Sequence, residues 1–157
     1  MRIFILSICT LLLSCNNPDT QEKVDTLTPE EQEIAKNLIQ GAFDDLWAGL
    51  DSTKILDYHT EDFIILEHGE IWDNDRITQY MRESLQRENR PKRLNYMDYI
   101  SIDKYGSSIQ LAYHNRAEFF QQDSLVFEGS WLESALAVKT SDGWRLKMMH
   151  STRNKRK

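Results

Sequence analysis

The apolar positions of this chain first follow a helical period and later a strand period. From Thr28 onward, Ile34, Leu38, Ile39, Ala42, Phe43, Leu46, Trp47 and Leu50 recur at the 3.6-residue spacing of one helix face over five turns. Thr28 suits the N-cap, Pro29 the first helical position, and Glu31 completes a capping box. Gly49 and Asp51-Ser52 end this helix and start a short second one through Tyr58. Phe63 to Glu67 reads as a short strand, His68-Gly69-Glu70 as its turn and Ile71-Trp72 as the return. Asn74 then caps a third helix with the stripe Ile77, Tyr80, Met81, Ser84 and Leu85, stopped by Asn89-Arg90-Pro91. Four long strand runs follow: Leu94 to Asp103, Ile109 to Phe120, Leu125 to Val138 and Trp144 to Thr152. Tyr105-Gly106, Gln122-Asp123 and Asp142-Gly143 separate them, and turns this short predict an antiparallel meander. Helix, short helix, short hairpin, helix and four strands is an α+β order.

Ahead of the domain, Arg2 precedes an almost wholly apolar run from Ile3 to Leu13. Eleven residues fit the apolar centre of a signal peptide and are too few to span a bilayer as a helix. The run closes on Leu12-Leu13-Ser14-Cys15 and the polar Asn16-Asn17-Pro18-Asp19. This resembles a bacterial lipobox, which implies that Cys15 is lipidated and becomes the new N-terminus; the alternative is an ordinary secretory signal with an incidental cysteine. The expected layout is a lipoprotein signal peptide over residues 1–15, a flexible tether over 16–27, a folded domain over 28–153 and a basic tail over 154–157. The expected location is the bacterial cell envelope, at the periplasmic face or outer membrane. Cys9 would be removed and Cys15 acylated, so no thiol would remain for a disulfide, a metal or a nucleophile.

Composition narrows the partners. The 157 residues carry a net charge of −6, and loss of Arg2 with the signal leaves 18 basic against 25 acidic side chains. Such an acidic domain argues against nucleic acid and anionic headgroups as partners, so membrane contact is expected through the lipid on Cys15 alone. The four histidines, His59, His68, His114 and His150, show neither H-x-H nor H-E-x-x-H spacing, and no metal is expected. No G-x-S-x-G elbow, P-loop or Rossmann glycine pattern occurs, and no cofactor is expected.

Turn parity selects a candidate site. Whether Asp142-Gly143 or Ser141-Asp142 forms a two-residue turn, Glu133 and His150 fall on one face, within about 8 Å. A two-residue Gln122-Asp123 loop sets His114 opposite Trp131, Ala112 opposite Glu133 and Arg116 opposite Gly129. One face would then gather His114, Arg116, Trp131, Glu133 and His150 over Trp144, Leu146 and Met148, a polar cluster on an apolar floor. The Glu133–His150 pair reads as a self-satisfied structural pair, as polar groups of a ligand pocket, or as a catalytic acid–base dyad. Ile109, Leu111, Tyr113 and Phe119 on one face, with Trp131 and Trp144 on the other, predict a homodimer that covers the face the helices leave open.

Asp142-Gly143-Trp144-Arg145-Leu146, running on to His150-Ser151-Thr152-Arg153, resembles the ending of SnoaL-like domains in the nuclear transport factor 2-like superfamily. Trp131-Leu132-Glu133-Ser134 is similar to segments of such lipoproteins. The resemblance covers roughly Thr28 to Arg153 and implies a cone: a strongly bent sheet wrapped on about three helices around a pocket. That fold hosts enzymes, binders and scaffolds alike. The first expectation is therefore a lipid-anchored, non-enzymatic domain that binds a small apolar or amphipathic ligand. The alternatives are an acid–base isomerase or cyclase using Glu133 and His150, and a dimeric scaffold for envelope partners. A desolvated Glu133 without an arginine would favour the enzyme, an arginine-tied Glu133 the binder, and a cavity under about 100 Å³ the scaffold.

Overall fold

In the computed structural model, which describes residues 25–155, the capping box closes as the sequence predicts. The Thr28 hydroxyl accepts from the Glu31 N–H, and the Glu31 carboxylate accepts from the Thr28 N–H, both at 3.1 Å. Cys15, the signal-like segment and most of the tether lie outside the described residues. Helix α1 (Pro29–Ala42) buries Ala35, Leu38, Ile39 and Ala42.

The sequence predicts one helix as far as Leu50, but beyond α1 the chain winds as a π-helix over Phe43–Ala48. The Gly49 N–H donates to the Asp44 carbonyl at 2.8 Å, a five-residue step. The wider turn still buries Phe43, Leu46 and Trp47, so the periodic stripe survives a change of helix type. After a 3-10 turn, α2 (Ile55–Tyr58) leads directly into strand β1 (His59–Glu67) and its return β2 (Glu70–Asp73). Helix α3 (Asn74–Leu85) is capped by Asp73, not by Asn74: the Asp73 carboxylate accepts from the Arg76 N–H at 2.8 Å. The Asn74 side chain is needed elsewhere. It donates to the Thr60 carbonyl at 2.9 Å and contacts His59 Nδ1 at 2.9 Å, joining α3 to the start of β1. His59 is buried and stacked on Phe63, and burial pushes its pKa down to about 4.

Strands β3 (Lys92–Tyr105), β4 (Ser108–Gln121), β5 (Ser124–Thr140) and β6 (Gly143–Arg153) form the antiparallel meander. The six strands make one sheet in the order β2-β1-β6-β5-β4-β3, with β1 parallel to β6. The helices lie on its inner face, over a core containing Phe63, Ile65, Ile109, Leu111, Tyr113, Leu146 and Met149. This is the α+β arrangement of a bent sheet on helices that the element order and the resemblance predict.

The strand register differs from simple turn parity because each long hairpin contains a bulge. The two loops have the expected length: Gln121 pairs with Ser124, and Thr140 with Gly143. Val126 is then the extra residue between the Phe120–Leu125 and Phe119–Phe127 pairs. Lys147 is the extra residue between the Ala137–Leu146 and Leu136–Met148 pairs. A third irregularity falls at Ile100 in β3. One extra residue turns every later side chain to the opposite face.

The consequences correct several expected neighbours. Glu133 pairs with Tyr113 and Ser151, not with Ala112 or His150; His114 pairs with Leu132, and Asn115 takes the place opposite Trp131. His114, Arg116 and His150 are exposed on the outer face, while Glu133 is buried on the inner face that also carries Trp131. Met149 replaces Met148 in the core. The two apolar sets assigned to opposite faces, Ile109, Leu111, Tyr113 and Phe119 against Trp131 and Trp144, share the inner face. The outer face carries its own apolar residues, with Leu132 at 46% and Met148 at 36% exposure, together with Tyr96 and Ile100.

The π-turn depends on Gly49. A Cβ there would lie 2.7 Å from the Asp45 carbonyl oxygen, closer than backbone atoms can approach. Gly49→Ala should therefore cost about 1–3 kcal/mol by urea unfolding, the range of forced overpacking. A change below a few tenths would be inconsistent with this turn.

Candidate functional site

The bent sheet and the helices enclose a cavity of about 270 Å³. Phe43 and Trp47 of the π-turn and Tyr80 of α3 line it from the helical side. Phe119, Phe127 and Trp131 line it from the sheet, and Trp72 from β2. Alternation explains the sheet contribution: beyond the bulge at Val126, odd-numbered positions of β4 and β5 point inward. Ile65, Glu67, Arg93, Glu133, Ser151 and Arg153 complete the lining.

Glu133 is only 5% exposed. The Ser151 hydroxyl donates to its Oε1 at 2.8 Å, and Asn115 Nδ2 donates to its Oε2 at 3.3 Å. Asn95 Nδ2 in turn donates to Asn115 Oδ1 at 2.7 Å, so a buried polar chain crosses four strands from β3 to β6. The Tyr113 hydroxyl lies near the same carboxylate without a hydrogen bond of good geometry. Removal from water dominates the electrostatics and pushes the Glu133 carboxyl up to about 7, against the pull of its hydrogen-bond donors and of Arg93. Glu67 is also raised by burial, with His68 and Arg93 opposing.

Arg93, which the sequence did not single out, is the cationic counterpart of these carboxyls in the cavity wall. Its guanidinium lies 5.8 Å from the Phe43 ring centroid, 5.5 Å from that of Phe119 and 5.6 Å from that of Trp131. Among the described residues it makes no hydrogen bond or ion pair, and its buried Nε has no partner. Burial lowers its pKa from the ordinary arginine value, while Tyr80, Glu133 and Glu67 favour the charged form. Arg153 sits over Phe127 and Trp131 at 5.3 and 5.9 Å, with its side chain exposed. No signal in the sequence separates Arg93 from the neighbouring Lys92. Only inward alternation on β3, in a register set by the sheet, would have found it.

Of the five residues predicted to share a face, the structure brings Trp131 and Glu133 to the cavity. His150 pairs with Ser134 on the outer face, and Ser151 takes the place opposite Glu133. Arg116 pairs with Glu118 and lies over Tyr96, and it lines with His114 an open depression of about 380 Å³ on the outer face. Among the described residues, no cluster of three or more His, Cys, Asp or Glu side chains could hold a metal ion.

No protein-family model matches the sequence, and no curated protein matches it in sequence. Solved structures do match. A hub homology domain of CamKII from Chlamydamonas reinhardtii superposes with a TM-score of 0.69 at 17% identity, covering 79% of this chain and 98% of that one. ActVI-ORFA from Streptomyces coelicolor gives 0.67 at 18% identity, covering 81% and 98%. An NTF2-like protein from Cytophaga hutchinsonii gives 0.64 at 8% identity, covering 79% and 98%. At these identities the likeness establishes the fold: the chain has the cone-shaped nuclear transport factor 2-like fold.

Glu133 gives the site a pH signature. Its folded pKa, about 7, lies above the ordinary carboxylate value of 4.5, so folding favours the protonated form. The stability linked to that proton is complete below pH 4.5 and is lost as pH rises through 7. Glu133→Gln removes this dependence. Relative to the parent, the variant should gain up to about 3 kcal/mol of stability between pH 4.5 and pH 8, whatever the hydrogen-bond change costs at both. Parallel urea titrations at the two pH values would refute the buried carboxyl if the difference between variant and parent stayed constant.

Proposed function

We propose that this nuclear transport factor 2-like domain is a lipid-anchored envelope protein whose cone pocket binds a small apolar or amphipathic ligand without transforming it. The carrying observation is the 270 Å³ cavity, walled by aromatic rings and ending on a few buried polar groups. Its volume is well above that of a filled core and close to the lower end of the roughly 300–1,000 Å³ used by drug-sized ligands. That size argues against a purely structural scaffold. Anchoring rests on the Leu12-Leu13-Ser14-Cys15 pattern, which lies outside the described residues.

Acid–base chemistry on the same ligand is the second reading, and one observation favours it. Glu133 is desolvated, held by neutral donors and free of any arginine ion pair, so its carboxyl titrates near neutrality as a general base should. The exposed position of His150 removes the dyad partner proposed with it, so such chemistry would rest on Glu133 with other groups of the cavity. A homodimer through the outer sheet face is supported by exposed Leu132, Met148, Tyr96 and Ile100 and by the likeness to a kinase hub domain.

One experiment reads all three properties. Native mass spectrometry of the protein purified from its own source should show a dimer, a diacylglyceryl-type mass on each chain that disappears in Cys15→Ser, and a bound small molecule. Trp131→Ala should reduce ligand occupancy severalfold. An unmodified, ligand-free monomer would refute the proposal, and a ligand recovered as a converted product would favour the enzyme over the binder.

A further inference from the structure

Taking the cavity as a ligand site, we infer that its ligand is a small organic carboxylate with a flat apolar or aromatic body. The acid group would pair with Arg93 and the body would lie against Trp131 and its neighbouring rings. The inference starts from an imbalance between Glu133 and Arg93, two of the four charged groups that line the pocket with Glu67 and Arg153. Glu133 has both carboxylate oxygens taken up, by Ser151 and Asn115. Arg93 has a planar fork of donors and, among the described residues, no acceptor. Arg93 is half-buried and its Nε is withdrawn from water without a partner, a cost that the ring faces around it offset only in part. A ligand carboxylate supplies what is missing, because its two oxygens match the guanidinium fork in a bidentate pair.

The sign of the ligand charge follows from the same inventory. A cationic ligand would have to compete with Ser151 and Asn115 for Glu133 and would approach two arginines, Arg93 inside and Arg153 at the rim. An anion meets both arginines; the fourth charged group of the lining, Glu67, has the His68 ring at 3.5 Å and is pushed by burial toward its neutral form, so it opposes an anion less than the arginines attract it. The body of the ligand follows from the walls. Arg93 sits among three rings at 5.5–5.8 Å, so a carboxylate bound to it carries its substituent along aromatic surface. The volume allows a compact molecule rather than a long acyl chain. A smaller cavity of about 190 Å³ shares Arg93, Trp47, Tyr80 and Phe119 with this pocket.

The test uses the full chain and matched probes: phenylacetate and indole-3-acetate, the amide phenylacetamide, and inorganic phosphate, titrated by calorimetry. The carboxylates should bind at least tenfold tighter than the amide. Arg93→Met should abolish that preference while leaving amide binding in place, and Arg153→Gln should reduce it only about twofold. The apo form of Arg93→Met should melt no lower than the parent, since it loses an unpaired charge; a merely structural arginine would lower it. If Arg93→Met does not fold, Arg93→Lys keeps the charge without the fork and should lose the carboxylate preference severalfold. Equal binding of carboxylate and amide, or a preference unchanged in the Arg93 variants, overturns the inference while leaving an apolar pocket in place. Phosphate binding as tightly as the aryl carboxylates overturns the role of the aromatic walls. Absence of binding by every probe overturns the inference, and a native protein that nonetheless carries a ligand would keep the pocket reading alive.

Discussion

The architecture depends on two single-residue bulges, at Val126 and Lys147. Each inserts one residue into a long antiparallel hairpin, increases the local twist and reverses the inward and outward assignment of everything beyond it. Without them β4, β5 and β6 would be flatter, and His150 would face the helices in place of Ser151. With them the sheet curls around α1, the π-turn and α3, and the inner face beyond the bulges is the one that carries Glu133, Asn115 and Trp131. Between the curled sheet and the helices, aromatic rings from both sides line the cavity that remains.

Inside that gap, the polar groups divide into a satisfied set and an unsatisfied one. Asn95, Asn115, Glu133 and Ser151 form a continuous chain of donors and acceptors across the sheet, which makes burial of a carboxyl tolerable and stiffens the floor. Arg93 stands apart, cushioned by aromatic faces but lacking an acceptor. Charges in a structural core are normally paired, and a half-buried arginine whose Nε lacks a partner beside a cavity is what motivates the proposed ligand. Glu133 stores a second functional possibility, because the same desolvation that makes its proton titrate near neutrality also suits it to proton transfer.

The helical half of the fold was largely legible in the sequence. The Thr28–Glu31 capping box and most of the stripes of α1 and α3 rest on interactions within a few residues of one another and appear at their expected places; Ile34 and Leu85, at the stripe ends, are instead exposed because the sheet does not reach that far. Where local rules failed there, a tertiary demand had intervened: Asn74 gives up the cap to Asp73 because its amide is used to bridge His59 and the Thr60 carbonyl. The strand runs, the Gln122-Asp123 loop and the two-residue length of the last loop were equally legible; that Ser141-Asp142 rather than Asp142-Gly143 forms that loop was left open by the sequence and decided by the structure.

Which side chains meet across the strands was another matter. Turn parity carries register faithfully only while every residue on one strand has a partner on the other, and Val126 and Lys147 have none. Neither residue has a side chain that marks a bulge; each is extra because the sheet must curve to cover the helices, a requirement set by residues far earlier in the chain. So the sequence by itself determined the elements, their order, the chain reversals and the acidic, cysteine-poor character of the domain, all of which are local or additive properties. The tertiary structure alone decided that Ser151 and not His150 meets Glu133, that His114 and Arg116 face outward, and that Arg93 enters the cavity. Those outcomes depend on strand parity, and parity is reset by every bulge that closing the sheet over the helices requires.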